Sequence, residues 1–281
     1  MSNKPCIIPN PWQQLKQFTD ARIAQGRAGV SLPTRELLAF QLAHARARDA
    51  VHTPLNSEAL LLELAELARH LPLPKPVLLQ SQAQDRQQYL QRPDAGRQLT
   101  EQSIQLLIQQ SSPKTEAFRL AIAVVDGLSA TAIHTNAIPY LQAFLPALTK
   151  QCPDWQLMPI SLVEQGRVAI GDDIGTALQA DLVVVLIGER PGLSSPDSMG
   201  IYLTYAPKRG CTDEQRNCIS NIRPGGLSYA DATSKLGYLL TQAKQLGLSG
   251  VNLKERADET RLESSRTDNF LAVPNHNAVQ Q

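Results

Sequence analysis

The sequence predicts an α/β protein in which a mainly parallel sheet, with helices on its faces, follows a helical N-terminal region. Three observations carry that prediction. Between about Val77 and Leu253, short β-branched runs alternate with amphipathic helical segments, the signature of strand–helix–strand units. Leu182-Val183-Val184-Val185-Leu186-Ile187 is apolar without a break, as a strand covered on both faces requires. Before His70 the apolar residues follow helical rather than two-residue spacing.

Taken in order, Pro11 and Trp12 open a stretch in which Leu15, Phe18, Ile23 and Ala24 recur at near-helical spacing. Gly26, Gly29 and Pro33 interrupt it. Thr34-Arg35-Glu36 then starts a second helix, carrying Leu37, Leu38, Phe40, Leu42 and Ala43. A third helix, Ser57 to His70, stops where Pro72, Pro74 and Pro76 cannot continue it. Ala121–Val125 reads as a buried strand, Asp126-Gly127-Leu128-Ser129 as a turn, and the following residues as a helix through about Leu148. Leu157–Val163 and Arg167–Ile170 look like strand material, and Asp173–Gln179 like a short helix. Leu182–Ile187 and Tyr202–Tyr205 are strands, and Ala230–Gln245 is the closing helix. The chain therefore divides into a helical region over 1–76, an α/β domain over 77–253 and a polar tail over 254–281. The tail is poor in large apolar residues and is expected to be disordered.

Composition narrows the function classes. A formal net charge of +1 over 281 residues gives no reason to expect nucleic acid or an anionic membrane as partner. Cys6, Cys152, Cys211 and Cys218 are too few and too irregular for a disulfide framework or a CxxC zinc site. His44, His52, His70, His134 and His276 show no metal-ligand spacing. No apolar run spans a bilayer, and Met1–Pro11 lacks the apolar core of a signal peptide. A cytoplasmic protein is expected.

Ligands of open α/β sheets bind outside the carboxyl ends of the strands, and two glycine-bearing loops fall there. One is Asp126-Gly127-Leu128-Ser129; the other is Gly188-Glu189-Arg190-Pro191-Gly192. Neither is a GxGxxG fingerprint or a P-loop, so a free-standing nucleotide enzyme is disfavoured. Taken alone, Glu189 and Arg190 are ordinary charges of a solvated loop, and Ser129 or Asp126 is a helix N-cap. Cys218 taken alone is a small hydrophobe with no histidine beside it, so a Cys–His nucleophile is not indicated. Arg35, Arg46 and Arg48 form a solvated helix face or one that meets an acidic partner.

Several longer blocks are more specific. They are Gly26-Arg27-Ala28-Gly29, Tyr89-Leu90-Gln91-Arg92-Pro93-Asp94-Ala95-Gly96-Arg97, and Val125 to Ile133 around Asp126-Gly127-Leu128-Ser129. Further on come Gln165-Gly166-Arg167-Val168 through Gly175, Ile187-Gly188-Glu189-Arg190-Pro191-Gly192-Leu193, and Cys218-Ile219-Ser220-Asn221-Ile222 with Gly225-Gly226. In these blocks, over about Trp12 to Leu253, the sequence resembles the ethanolamine ammonia-lyase small subunit (light chain).

The resemblance implies a Rossmann-like subunit with a helical N-terminal region, bound to a barrel-shaped large subunit in a hetero-oligomer. It implies adenosylcobalamin as cofactor, lying between the subunits, with cobalamin contacts at Val168, Glu189 and Cys218. The reaction implied is conversion of ethanolamine to acetaldehyde and ammonia by radical chemistry, with substrate held by the large subunit. No catalytic residue and no protein metal ligand is therefore expected in this chain. The Asp-x-His-x-x-Gly motif of proteins that replace cobalamin's lower base is absent, so the cofactor is expected to bind base-on. The N-terminal helices are expected to dock on the large subunit. A bacterial microcompartment is an alternative address that the resemblance brings with it. The competing expectation is a non-catalytic assembly subunit that stabilises its partner without touching cofactor.

Overall fold

The computed structural model describes residues 10–254, apart from 72, 112, 114 and 115. Cys6, His276 and the expected tail beyond Lys254 lie outside the described residues. The chain folds as an α/β protein around one seven-stranded mixed sheet. Its helices are α1 (Thr34–His52), α2 (Ser57–His70), α3 (Arg86–Gln91), α4 (Glu101–Gln110), α5 (Ala130–Gln151), α6 (Ile170–Ala177) and α7 (Tyr229–Leu246). Its strands are β1 (Val77–Gln80), β2 (Arg119–Val125), β3 (Gln156–Leu157), β4 (Ser161–Glu164), β5 (Leu182–Gly188), β6 (Met199–Tyr205) and β7 (Arg216–Ile222). No helix among the described residues is long and apolar enough to cross a membrane.

The strand order is β1-β4-β2-β5-β6-β7, with β3 pairing the start of β2. The first four strands in this order are mutually parallel, whereas β6 runs against both its neighbours, β5 and β7. The switch has a simple cause. Parallel neighbours need a crossover of a dozen or more residues, usually helical, and the link from β5 to β6 holds only residues 189–198 without a helix.

Residue alternation along the central strands explains their unbroken apolar sequence. Leu120, Ile122 and Val124 of β2, with Leu182, Val184 and Leu186 of β5, pack beneath α2, α5 and α7. Ala121, Ala123, Val125, Val183, Val185 and Ile187 point the other way, against α4 and α6. With both faces covered, neither strand has a polar side to show.

Leu60, Leu64 and Leu67 anchor α2 in the same core as α5. Helix α1 differs. Only Ala50 is buried, while Leu37, Leu38, Phe40 and Leu42 stay exposed. The expected helical run through Ile23 and Ala24 does not form: a 3-10 helix ends at Phe18 and Ala24 takes a φ of +53°. The segment instead crosses the β5–β6 loop as a strap. Arg22 Nη2 donates to the Leu193 carbonyl (3.1 Å), and Ser194 Oγ donates to the Asp20 carbonyl (3.2 Å).

Arg167–Ile170 is likewise not a strand. Strand β4 ends at Glu164, and the chain turns through Ile170 N to Arg167 O (2.9 Å) and Gly171 N to Val168 O (3.2 Å) into α6.

The chain also packs along part of each sheet edge. Outside β1, Thr100 N donates to Gln80 O (3.0 Å), and Ser103 Oγ accepts from Gln80 N (2.9 Å). Outside β7, Asn217 accepts from Gly250 N (2.7 Å) and donates to Leu253 O (2.8 Å), while Val251 N donates to Glu214 O (2.9 Å). Gly250 has a φ of +87°, and a Cβ there would run into the Glu214 carbonyl.

Candidate functional site

Because β4, β2 and β5 are parallel neighbours, the loops that leave them gather at one end of the sheet. The helix after β2 covers one face and the helix after β4 covers the other. The loops therefore part, and a crevice opens between them, as at the switch points of other α/β sheets.

Two glycines bring these loops together. Gly127 has a φ of +58°, and a Cβ on it would strike the Gly188 carbonyl, while one on Gly188 would strike the Ser129 carbonyl. Leu128 N donates to Gly188 O at 2.9 Å across the contact. Only a residue without Cβ fits either position. Ser129 caps α5 by accepting from Ala132 N (3.1 Å), and its hydroxyl donates to Pro196 O (2.8 Å).

Asp126, also in the first loop, is almost fully buried. Its carboxylate accepts from Gln165 N (2.9 Å) and Gly166 N (3.1 Å) and lies 3.8 Å from Arg86 Nη1. Burial pushes the carboxyl up to about 6, against the lowering effect of those amides and of Arg86. This carboxylate, bending the chain after β4, is the physical reason that the Arg167–Ile170 segment turns.

The turn is fastened further along α6. Arg216 of β7 makes two 2.8 Å bonds to the Asp172 carboxylate in the buried interior. Asp173 accepts from Leu99 N (2.9 Å) and from Arg209 Nη2 (3.0 Å). Both acidic side chains hold α6 to its neighbours.

Two adjoining clefts occupy the crevice. One, of about 390 Å³, is lined by Tyr89, Leu128, Arg167, Val168, Glu189 and Tyr202, among others. The second, of about 460 Å³, is lined by Arg97, Arg167, Val168, Tyr202, Cys211 and Asp213, among others. Arg167, Val168 and Tyr202 belong to both. A larger hollow of about 770 Å³, walled by Ile104, Ile108, Ala177 and Lys208, opens between α4 and α6, beside the residues that precede β2 and β5. It is remote from the glycine turns.

Of the residues singled out from sequence, Val168 lies in the turn before α6 and lines both clefts. Glu189 follows β5 directly. Its carboxylate accepts from Asn221 N (3.2 Å) and from the Ser198 hydroxyl, and Gly200 leaves it room, since a Cβ there would lie 2.8 Å from Oε1. Cys218 sits on β7, in register opposite Tyr202 on β6. It is exposed and lines neither cleft. Partial desolvation pushes the Cys218 thiol up, and the nearby Tyr202 hydroxyl pulls it down. Burial, with Cys218 next, raises Tyr202.

Tyr202 is thus the residue around which Val168, Glu189 and Cys218 gather. Sequence reasoning marked it only as the start of a strand. Strand alternation is the signal that it turns toward this side, since its neighbours Ile201 and Leu203 enter the opposite core. Tyr89 was equally unmarked, although it stands in one of the longest distinctive blocks. Its ring is fully buried, and its hydroxyl has no partner among the described residues. Arg167 Nε is also buried without a partner.

The chain is similar to proteins of known type over nearly its whole length. The family described as ethanolamine ammonia-lyase light chain (EutC) matches residues 9–254. An ethanolamine ammonia-lyase small subunit of Ralstonia nicotianae is 53% identical over 265 residues, covering 94% of this chain and 95% of the relative. One from Pseudomonas fluorescens Pf0-1 is 52% identical, covering 96% and 98%. One from Azotobacter vinelandii is also 52% identical, again covering 96% and 98%.

Proposed function

The chain belongs to the ethanolamine ammonia-lyase light-chain family, and from that premise we propose that it is the cobalamin-contacting small subunit of an adenosylcobalamin-dependent lyase that turns ethanolamine into acetaldehyde and ammonia. We read its sheet as Rossmann-like and its partner as a large subunit that holds the substrate. The assembly works in the cytoplasm, with a microcompartment as the alternative address.

The observation that carries this reading is the gathering of Val168, Glu189 and Cys218 around Tyr202, beside the paired glycine turns. The cofactor, when bound, supplies the radical chemistry, and the protein supplies position and shielding. Two features of the chain fit such a ligand. The clefts are open, as half of a shared site is, and they keep a buried donor, Arg167 Nε, without a partner among the described residues. Buried donors of this kind are normally satisfied by a ligand or ordered water. The exposed apolar groups of the N-terminal arm, Trp12, Phe18, Leu38 and Leu42 among them, suit docking on the large subunit.

Cobalt is expected to keep its own base. His134 Nε2 already accepts from Asn56 N (3.0 Å), and none of the four described histidines lines either cleft.

Glu189→Gln and Glu189→Ala in the co-expressed complex test the proposal. Loss of a half-buried charged acceptor is expected to weaken adenosylcobalamin binding by roughly tenfold, with Ala worse than Gln and subunit assembly intact. Cofactor affinity unchanged in both variants would favour an assembly subunit without cofactor contact. In the same preparation, nitrogen labelling of the protein should add no histidine coupling to the cobalt electron paramagnetic resonance signal.

A further inference from the structure

We infer that Arg86, Tyr89 and Arg167 form a positioning stack that holds the Val168 turn over the cleft, and that the face of the Tyr89 ring, not its hydroxyl, does the holding. For its effect on a ligand, this inference rests on the cofactor reading above.

The geometry is specific. The Arg86 and Arg167 guanidinium carbons lie 4.7 and 4.2 Å from the centre of the Tyr89 ring. Each arginine is also tied to backbone. Arg86 Nε donates to Val51 O (2.7 Å), and its Nη1 donates to Gly127 O (2.7 Å), in the loop after β2. Arg167 Nη2 donates to Tyr89 O (3.1 Å), and its own amide donates to Gly96 O (2.7 Å). A Cβ on Gly96 would lie 2.9 Å from Arg167 Cγ, so the site has been kept clear for that side chain.

The ring therefore connects two loops that share no strand pairing at this point. One end is the Gly127 turn and the other is Arg167, the residue directly before Val168. Two like charges on one ring repel each other. Asp126, 3.8 Å from Arg86 and bonded to the Gln165 and Gly166 amides, supplies the counter-charge inside the same turn. Cation–π attraction strengthens when water is excluded, and Tyr89 has no exposed surface. The hydroxyl, having no partner among the described residues, adds nothing to this grip.

The test uses Tyr89→Phe, Tyr89→Leu and Arg167→Gln, each read in two ways. Hydrogen–deuterium exchange across residues 165–169 of the full chain reads the turn without any ligand. Adenosylcobalamin affinity of the co-expressed complex reads the consequence. Tyr89→Phe is expected to match wild type in both. Tyr89→Leu and Arg167→Gln should speed exchange in the turn and weaken cofactor binding by roughly five- to tenfold, the scale of a desolvated cation–π contact.

Wild-type exchange in Arg167→Gln, which removes no buried ring and so keeps the test valid if Tyr89→Leu fails to fold, would overturn the stack. Equal losses in Tyr89→Phe and Tyr89→Leu would overturn the claim for the ring face. Faster exchange with cofactor affinity unmoved would uphold the stack and overturn the cofactor reading of Val168.

Discussion

Asp126 shows how a single side chain can shape a site while opposing the stability of the fold. Its carboxyl has an ordinary value of 3.8 and is pushed up to about 6 by burial. The folded chain thus holds this proton more tightly than the unfolded chain does. Stability from this group is fully present below about 3.8 and is lost as pH rises through about 6. The gap corresponds to roughly 3 kcal/mol. Denaturant unfolding should show wild type losing more stability than Asp126→Asn between about pH 4 and pH 7; equal slopes would contradict the assignment. The residue scale was also where the sequence was least explicit. Val168, Glu189 and Cys218 were reached through block resemblance, because their side-chain types alone suggest a hydrophobe, a surface charge and a small thiol. Tyr89 and Tyr202 carried no chemical flag at all, since an aromatic ring acquires meaning only from what surrounds it.

Among the elements, strands buried on both faces were legible to within a few residues, and so were α2, α5 and α7. Their patterns are dictated by what they pack against. Arg167–Ile170 misled because Val168 and Ile170 suit a strand locally, whereas Asp126, far off in sequence, bends the backbone. Strand β7 was passed over for the opposite reason. As a partly exposed outer strand, Arg216–Ile222 shows only intermittent burial and reads as polar. Ile23 and Ala24 kept helical spacing by composition, yet Arg22 and Asp20 bind the β5–β6 loop and draw the chain straight. The division between arm and body bears directly on experiment. Removing residues through His70 would strip Leu60, Leu64 and Leu67 from the main core. Removing only residues 1–52 is expected to leave the sheet folded, by circular dichroism, while sharply reducing co-purification with the large subunit. Undiminished co-purification would rule out the arm as the docking element.

At the scale of the whole molecule, the alternation of strands and helices forecast an α/β sheet that is mostly parallel. The antiparallel pairings of β6 went unforeseen because a hairpin leaves no helix in the sequence to count. The segments packed along the two sheet edges have their own consequence. An outer strand with free amides and carbonyls invites another chain to add itself; here the Thr100–Ser103 stretch takes up the Gln80 amide and carbonyl of β1, and the turn at Gly250 packs along β7 through the Asn217 side chain. Gly250→Val cannot adopt the φ of +87° without colliding with Glu214. It is expected to peel that turn from β7 and to raise light scattering from self-association on concentration, with Gly210→Ala, which carries similar backbone strain (φ +93°) but no collision, as the comparison. The chain thus occupies part of each edge of its own sheet. Where those segments lie, a further strand finds little room, and the proposed large subunit would meet side chains and loops, a match of shape and charge rather than the indiscriminate stickiness of an open ladder.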